Sequence, residues 1–184
     1  MAKYPAQILA DTEVTALMTS FPPSKTGIRN KALVAVYLYG QLRCSEALDL
    51  RPSDLDLAQN RILVQNGKGN KRRVIGFPAK YRHLIQAWLD VRPDSEWVFC
   101  THKGGRIGSC YIRKMFKRQG TKAEITKRVH PHQMRHQGAA RMASKKIDIR
   151  IISKQLGHSN IAVTDRYIQH LCPDDVVEGV QDAW

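Results

Sequence analysis

The residues best suited to chemistry lie in two short stretches near the carboxyl end of this 184-residue chain. His132 and Arg135 are three positions apart, so on a helix they share one face, and His136 follows directly. His158 comes after a glycine, and Tyr167 lies nine positions further on. Arginine presents a planar fork that matches two phosphate oxygens, while histidine can donate to a third oxygen or move a proton. Together, these side chains predict a site that binds a phosphate group, neutralises its charge and supplies a nucleophile that attacks it.

Tyr167 is the candidate nucleophile of that site. A phenol titrates near pH ~10, so it needs nearby cations or a base before it can attack. Taken alone, as one of six tyrosines, Tyr167 is better explained as a half-buried structural residue. The face shared by His132 and Arg135 could likewise contact DNA phosphate without catalysis.

Two more candidates lie in the first half of the chain. Arg43 precedes Glu46 by three positions, a spacing at which the carboxylate can orient the guanidinium, although an ordinary surface ion pair would look the same. Lys68 lies in NGKGNKRR, where a flexible ammonium could protonate an alkoxide leaving group or bind phosphate. The same segment carries three further cations predicted to contact DNA: Lys71, Arg72 and Arg73.

The overall charge indicates a polyanionic partner. Lys and Arg number 30 against 16 Asp and Glu, which gives a net charge of +14. A solvated basic surface that aids solubility is the alternative. The apolar share of 42% is ordinary for a folded protein, and no apolar run approaches the ~20 residues of a membrane-spanning helix.

The cysteines and histidines do not form a recognisable metal site. The four cysteines are scattered without a CxxC pair, and there is no signal peptide, so we expect reduced thiols in a cytoplasmic protein. They are Cys44, Cys100, Cys110 and Cys172. Zinc bound by His130, His132, His136 and a distant cysteine is rejected, because the crowded histidines have no second ligand pair. We therefore predict no metal.

Helices around a small sheet must position these residues. Helical patterns are predicted at 11–20, 29–40, 45–50, 80–91, 109–119, 131–144, 148–156 and 159–170, with Gly120 and Gly157 ending two of them. Three β-rich runs at 55–57, 61–65 and 72–77, with NGKGN as a turn between the last two, predict a small antiparallel sheet. The predicted fold class is α+β, mainly helical with one three-stranded antiparallel sheet.

Together, these motifs resemble those of the tyrosine recombinases, the phage-integrase family. In chain order they are LRCSE at 42–46, GKGNK at 67–71, HQMR at 132–135, LGH at 156–158, and Tyr167. The resemblance extends from about Thr12 to His170. The position before Leu42 is usually glycine in the family, and here it is Gln41.

The resemblance implies a reaction on double-stranded DNA. Tyr167 would attack the scissile phosphate, giving a 3′-phosphotyrosyl enzyme and a free 5′-hydroxyl. Arg43 and Arg135 would hold the non-bridging oxygens, assisted by His158. A 5′-hydroxyl from a partner strand would then reverse the step, so the reaction needs no metal, no ATP and no other cofactor.

The resemblance also assigns the proton transfers. His132 would manage the proton of the tyrosine, and Lys68 would protonate the departing 5′-oxygen. Glu46 and His136 would support these residues. Relaxation of supercoils by the related type IB topoisomerase route and a non-catalytic DNA-binding module are the alternatives, although the module would be expected to have lost at least one of the six catalytic residues.

One domain with loose ends is expected, because no repeat or long linker interrupts the chain. We predict a lead-in at 1–10, a catalytic domain at 11–172 and a tail at 173–184. By family resemblance, the chain would assemble with other protomers on DNA as a tetramer, with no membrane involved. The tail would dock on a neighbouring protomer, as this segment often does in the family; the alternatives are a helix packed on its own domain or a frayed end.

Overall fold

The computed structural model describes residues 8–65 and 72–171, and for Tyr167 and residues 169–171 it describes the backbone alone. Within these segments the predicted α+β class is confirmed. The helices are α1 (Asp11–Thr19), α2 (Lys25–Tyr39), α3 (Cys44–Leu48), α4 (Arg82–Leu89), α5 (Ser109–Lys122), α6 (Pro131–Ser144), α7 (Ile149–Leu156) and α8 (Ile161–Leu171). The strands are β1 (Leu55–Asp56), β2 (Arg61–Val64) and β3 (Arg73–Gly76), and short 3-10 helices span Pro52–Asp54 and Ala79–Tyr81.

Helix α2 forms the centre of the core. Every residue from Ala32 to Tyr37 is fully hidden, as expected of a helix that is apolar on all sides, and α2 packs against α4 and α6. It begins at Lys25, four residues before the predicted start at position 29. The earlier start is explained by Ser24, whose side chain accepts the Gly27 N–H at 3.2 Å and so caps the helix.

The contact between α2 and α6 brings two parts of the candidate site together. A β-carbon on Gly138 would lie 2.1 Å from the carbonyl oxygen of Leu38, so only glycine permits this approach. Helix α6 carries His132 and Arg135, while the end of α2 leads directly into Arg43. The glycine therefore sets the distance between two of the predicted motifs.

The sheet has the predicted three strands, in the order β1-β2-β3 and antiparallel throughout. Ile62 lies opposite Ile75, and both side chains are buried against the core, as is Val64. Val74 faces outward and is 59% exposed. This alternation is that of a sheet with one buried face, and β3 also packs against α7.

Helices α6 and α7 match their predicted positions. The ring nitrogen Nδ1 of His130 accepts the Gln133 N–H at 3.2 Å, so His130 acts as the cap of α6. The carboxylate of Asp148 caps α7 by accepting the Arg150 N–H at 2.7 Å. Helix α7 ends at Gly157, whose φ of +65° is the left-handed conformation that glycine adopts readily.

Several predicted helix boundaries were wrong. Helix α5 continues through Gly120 to Lys122, because this glycine is packed against Val129 inside the helix instead of ending it. Helix α8 is capped by Asn160 and not by Ser159, since the Asn160 side chain accepts the Ala162 N–H at 2.9 Å. Helix α4 is shorter than the predicted 80–91, because its first residues form a 3-10 turn.

The C-terminal helices share a small apolar cluster that is separate from the main core. Ala139, Ile152 and Leu156 are its buried members, and Ile168 of α8 packs against them. No helix in the described part of the chain is long and apolar enough to cross a membrane. The predicted turn at 66–71, residues 1–7 and residues 172–184 lie outside the described residues, so the predicted lead-in and tail stay predictions.

Candidate active site

Glu46 is the centre of the candidate site. Its side chain is 2% exposed and accepts the backbone N–H of Arg43 at 2.8 Å and Nη1 of Arg43 at 2.7 Å. The first of these bonds caps α3 at its N-terminus. The pair predicted from the i, i+3 spacing therefore forms, and its carboxylate is buried, unlike that of an ordinary surface ion pair.

Arg73 makes a second and more complete contact with Glu46. Its Nη1 and Nη2 donate to the two carboxylate oxygens at 2.8 and 2.9 Å, which is the bidentate arrangement. Its Nε donates to the Gln155 carbonyl oxygen at 3.4 Å, and the side chain is 13% exposed. The DNA contact predicted for Arg73 stays a prediction, and its guanidinium is directed into the protein.

Arg135 completes the group that we call the arginine cluster, namely Arg43, Arg73 and Arg135 around Glu46. Its side chain is 3% exposed, and its Nη1 lies 3.8 Å from Oε2 of Glu46. Nη1 also donates to the Gln41 carbonyl oxygen at 2.6 Å, and Nη2 donates to that of Leu156 at 2.5 Å. Two backbone carbonyls, from the end of α2 and the end of α7, thus fix the guanidinium of Arg135.

Gln41 adopts the backbone conformation that its position requires. Its φ is +50°, in the left-handed region that glycine occupies at least cost. This is the position at which the resemblance would place glycine. In this conformation the Gln41 carbonyl oxygen accepts a hydrogen bond from Arg135.

The arginine cluster keeps Glu46 ionised. Burial raises the pKa of the carboxyl, but the hydrogen bonds from Arg73 and from the Arg43 backbone, and the charges of the guanidinium groups, outweigh this and lower the pKa from 4.5 to about 2. Three guanidinium groups around one carboxylate leave a net positive charge. Such a preorganised charge suits a phosphate whose oxygens gain negative charge in the transition state.

The turn between α7 and α8 places His158 beside the arginine cluster. Nη2 of Arg43 lies 3.5 Å from the Gly157 carbonyl oxygen, and a β-carbon at position 157 would lie 2.7 Å from Nε of Arg73. Nδ1 of His158 is 2.8 Å from the hydroxyl of Thr164, which is fully buried. The predicted Leu-Gly-His motif is therefore packed directly on Arg43 and Arg73.

His132 lies in the first turn of α6, on the same helix as Arg135. Partial burial, and then the nearby charges of Arg135 and Arg43, lower the pKa of His132. Its ring centroid is 4.0 Å from that of His136 in an edge-to-face arrangement. A histidine held neutral at physiological pH can accept a proton.

The remaining predicted site residues are only partly described. The backbone of Tyr167 lies in α8, which packs against α6, the helix of His132, and against α7, the helix that ends at the His158 turn. Arg72 is exposed beside the start of β3. Lys68 and Lys71 lie outside the described residues.

Gln155 is a site-supporting residue that the sequence did not reveal. Its side-chain oxygen accepts the Gly76 N–H at 3.0 Å, and its side-chain nitrogen donates to the Gly76 carbonyl at 2.9 Å. The amide thereby pairs with the end of β3 as another strand would. A lone glutamine in an amphipathic helix carries no signal for this role, which depends on how α7 packs on the sheet.

A cleft of about 770 Å³ opens beside His132. Its floor is apolar, with Phe116, Ile125 and Val129 among the lining residues. Its rim is basic, and the cations that line it are Arg113, Lys117, Lys127 and Arg128. Its lining includes His132 of the candidate site, and its cationic rim suits a phosphate-bearing polymer.

Comparison with known proteins identifies the family. The sequence pattern of the phage integrase family matches residues 7–172. The chain belongs to this family. The tyrosine recombinase XerA of Thermococcus onnurineus (strain NA1) is 36% identical over 172 residues, covering 89% of this chain and 59% of that protein. The tyrosine recombinase XerC of Actinobacillus pleuropneumoniae serotype 7 (strain AP76) is 32% identical over 167 residues, covering 86% and 54%.

Solved structures of the family agree with the fold. The crystal structure of XerA recombinase superposes with a TM-score of 0.83 at 28% identity, covering 96% of this chain and 66% of that one. XerH recombinase bound to its palindromic difH substrate gives a TM-score of 0.79 at 26% identity, covering 97% and 53%. The chain therefore spans between half and two thirds of the length of these relatives, and the predicted family membership is confirmed.

Proposed function

We propose that this chain is the catalytic part of a site-specific DNA recombinase, which cuts and rejoins DNA strands through a 3′-phosphotyrosyl intermediate. The observation that carries the proposal is the arginine cluster, which is assembled from three distant parts of the chain around Glu46 and adjoins the His158 turn. Phosphoryl transfer depends mainly on positioning and charge stabilisation, and a preformed group of guanidiniums supplies both.

Arg43 and Arg135 would hold the non-bridging oxygens of the scissile phosphate. Arg43 is 30% exposed, so its guanidinium can reach DNA while Glu46 fixes its direction. Arg135 is hidden and more rigidly held, so it would act as the rear of the phosphate site. His158 would donate a further hydrogen bond to the phosphate.

Tyr167 would be the nucleophile. Its phenolic oxygen would form a bond to phosphorus as the bond from phosphorus to the 5′-oxygen breaks. His132 would take up the phenolic proton, which its lowered pKa permits at neutral pH. Lys68 would give a proton to the departing 5′-oxygen. Attack by the 5′-hydroxyl of another strand would release Tyr167 and complete the exchange.

Double-stranded DNA would be the substrate, and other copies of the chain would be its partners. Two of the similar structures, both of XerH, contain difH DNA, which supports DNA as the substrate here. Exchange of strands between two duplexes requires cuts in both, so we propose assembly of four protomers on DNA. Residues 11–172 would form the catalytic domain, and residues 173–184 would contact a neighbouring protomer.

Capture of a covalent protein–DNA adduct tests the proposal. The chain would be incubated with a pool of nicked duplexes of randomised sequence, and adducts resistant to detergent would be isolated and sequenced. We expect adducts from the unchanged chain and from Tyr81→Phe, a control that makes the same change at a tyrosine stacked on Tyr39. Tyr167→Phe should bind DNA and form none, and an adduct from this variant would show that the nucleophile is another residue.

A plasmid assay then separates recombination from the topoisomerase alternative. Two copies of the recovered sequence would be placed on one supercoiled plasmid. Exchange between the copies is the outcome expected of a recombinase. Relaxation of the plasmid without any exchange would instead support the type IB topoisomerase route.

A further inference from the structure

Arg73 belongs to the arginine cluster, but the proposed reaction assigns it no role. It is the first residue of β3 and the last residue of the segment NGKGNKRR, which carries Lys68. Arg72, its neighbour, is exposed, whereas the Arg73 side chain crosses inward towards α3 and α7. Its charge is therefore directed at protein groups.

Each of the three guanidinium nitrogens of Arg73 has a protein partner. Nη1 and Nη2 bind both oxygens of Glu46 at 2.8 and 2.9 Å, and Nε faces the Gln155 carbonyl at 3.4 Å. A planar fork bound to both oxygens fixes the rotation of the carboxylate as well as its position. The same carboxylate orients Arg43, so the direction of Arg43 depends on Arg73.

The turn that holds His158 also packs on Arg73. A β-carbon on Gly157 would lie within 2.8 Å of its Nε, Cδ and Cζ atoms, so the backbone of the turn rests on the guanidinium. Arg73 thus lies between α3 and the end of α7. It connects Glu46, which orients Arg43, to the turn that carries His158.

We propose that Arg73 is a positioning residue of the catalytic centre, which holds Glu46 and the Gly157 turn in place for Arg43 and His158 and makes no contact with DNA. The proposal rests on the proposed recombinase function. Lysine can take over this role only in part, because its ammonium group binds one carboxylate oxygen well but cannot form the planar bidentate pair.

The charges around Glu46 predict how the loss of Arg73 would act. Among the described residues, the charged groups that face this carboxylate are Arg43 at the start of its own helix, Arg73 of β3 and Arg135 of α6. Among the influences that lower the pKa of Glu46, the Arg73 hydrogen bond is the largest. Without Arg73, burial would raise this pKa, and a protonated carboxyl would no longer accept both bonds from Arg43. As the pH is lowered, the cleavage rate would then begin to fall at a higher pH than in the unchanged chain.

Single-turnover cleavage on the captured DNA sequence tests the assignment. Four variants would be compared at saturating DNA across a range of pH: Arg73→Met, Arg73→Lys, Arg72→Met and Arg61→Met. Arg61 is an exposed arginine of β2 in the same sheet, so Arg61→Met controls for the loss of one positive charge. Arg72→Met shows the effect of losing a predicted DNA contact. Thermal unfolding would identify any variant that fails to fold, and Arg73→Lys carries the test if Arg73→Met does not fold.

We expect Arg73→Met to lower the cleavage rate about 100-fold, the cost of a small misplacement of catalytic groups. In the pH–rate profile of this variant, the loss of rate at acid pH should begin at a higher pH than in the unchanged chain. Arg73→Lys should recover part of the rate. DNA affinity and its salt dependence should match those of Arg61→Met, which should cleave as the unchanged chain does. Arg72→Met should instead weaken binding and reduce the salt slope by about one.

Two distinct results would overturn the assignment. If Arg73→Met cleaves at the normal rate at saturating DNA but binds with the weaker, less salt-dependent affinity of Arg72→Met, Arg73 is a DNA contact. If the unchanged chain forms no adduct at all, the proposed function fails, and the assignment falls with it. The first result leaves the proposed function standing.

Discussion

The arginine cluster and helix α8 are held in the fold by different kinds of contact. The cluster is fixed by charge-assisted hydrogen bonds to the buried Glu46 and by backbone carbonyls from two helices. Helix α8, which carries the candidate nucleophile, is attached through Ile168 to a small apolar cluster and through the buried Thr164 to His158. Its first turns expose Ile161 and Val163.

This difference indicates which part of the site would be formed before the proposed DNA substrate binds. The arginine cluster needs no DNA to assemble, because its countercharge is Glu46. Among the described side chains of α8, Thr164 is buried and Ile168 is partly buried, whereas the others are exposed. We therefore expect α8 to open locally at a lower free energy than the core helices. The phosphate-binding part would thus be rigid, and the position of the nucleophile would be the adjustable element.

Replacement of Glu46 should have the largest effect on the rigid part. Glu46→Gln would leave three arginines without their countercharge and should lower the free energy of unfolding by about 3 kcal/mol at neutral pH, since each pKa unit corresponds to ~1.4 kcal/mol. Because the pKa of the folded state is lowered from 4.5 to about 2, this stabilisation is complete above 4.5 and is lost as the pH falls towards 2. Urea unfolding at neutral pH and near pH ~3 measures it, and an equal difference at both pH values would contradict the account.

Ile168 tests the attachment of α8. Ile168→Ala should cost about 1–2 kcal/mol, less than for a fully buried isoleucine, because the side chain is only partly buried. Amide hydrogen exchange in the unchanged chain should show that α8 opens at a lower free energy than α2. In Ile168→Ala, the opening free energy of α8 should fall by the same amount as the stability. Protection of α8 equal to that of α2 would remove the contrast between the two regions.

Replacement of Gln41 measures the free-energy cost of the left-handed backbone conformation at the residue whose carbonyl binds Arg135. Gln41→Gly should raise the free energy of unfolding by about 1 kcal/mol, because the left-handed conformation costs ~1–2 kcal/mol for a residue with a β-carbon. Asn60, with a φ of +53°, offers a matched control, and Asn60→Gly should gain less because asparagine tolerates this conformation. Chemical denaturation compares the two, and a loss of stability in Gln41→Gly larger than in Asn60→Gly would refute the assignment of strain.

The histidines of α6 should give the smallest effect. Burial lowers the pKa of both His130 and His132 below the ordinary value of 6.5, so the unfolded chain takes up protons first as the pH falls. Stability should therefore decrease as the pH falls below 6.5, and His132→Gln should reduce this slope. Proton NMR titration of the rings provides the measurement, and midpoints at or above 6.5 would be inconsistent with it.

The sequence was sufficient for those features that depend on local spacing. The pairing of Arg43 with Glu46 follows from an i, i+3 relation, and the start of α6 follows from Pro131 at its first position. The sheet follows from three short β-rich runs with a glycine-containing segment between two of them. Each of these signals lies within a few residues of the feature that it predicts.

Features that depend on packing between distant segments were not predictable in this way. Arg73 is one of several cations in one stretch, and its inward direction depends on the packing of β3 against α7. The pairing of Gln155 with Gly76 has the same origin. Gly120 was assigned to a helix end because its contact with Val129 cannot be seen along the chain.

If the arginine cluster activates a phosphate for attack by Tyr167, then peptide mapping of the DNA adduct should find the nucleotide on this residue. After nuclease and trypsin digestion, cleavage at Arg166 would release the peptide from Tyr167 to Trp184. We expect this peptide to carry a nucleotide linked through its 3′-phosphate to Tyr167, and we expect Arg43→Ala and Arg135→Ala to abolish the signal. A nucleotide on any other residue, or an undiminished signal in both variants, would contradict this expectation.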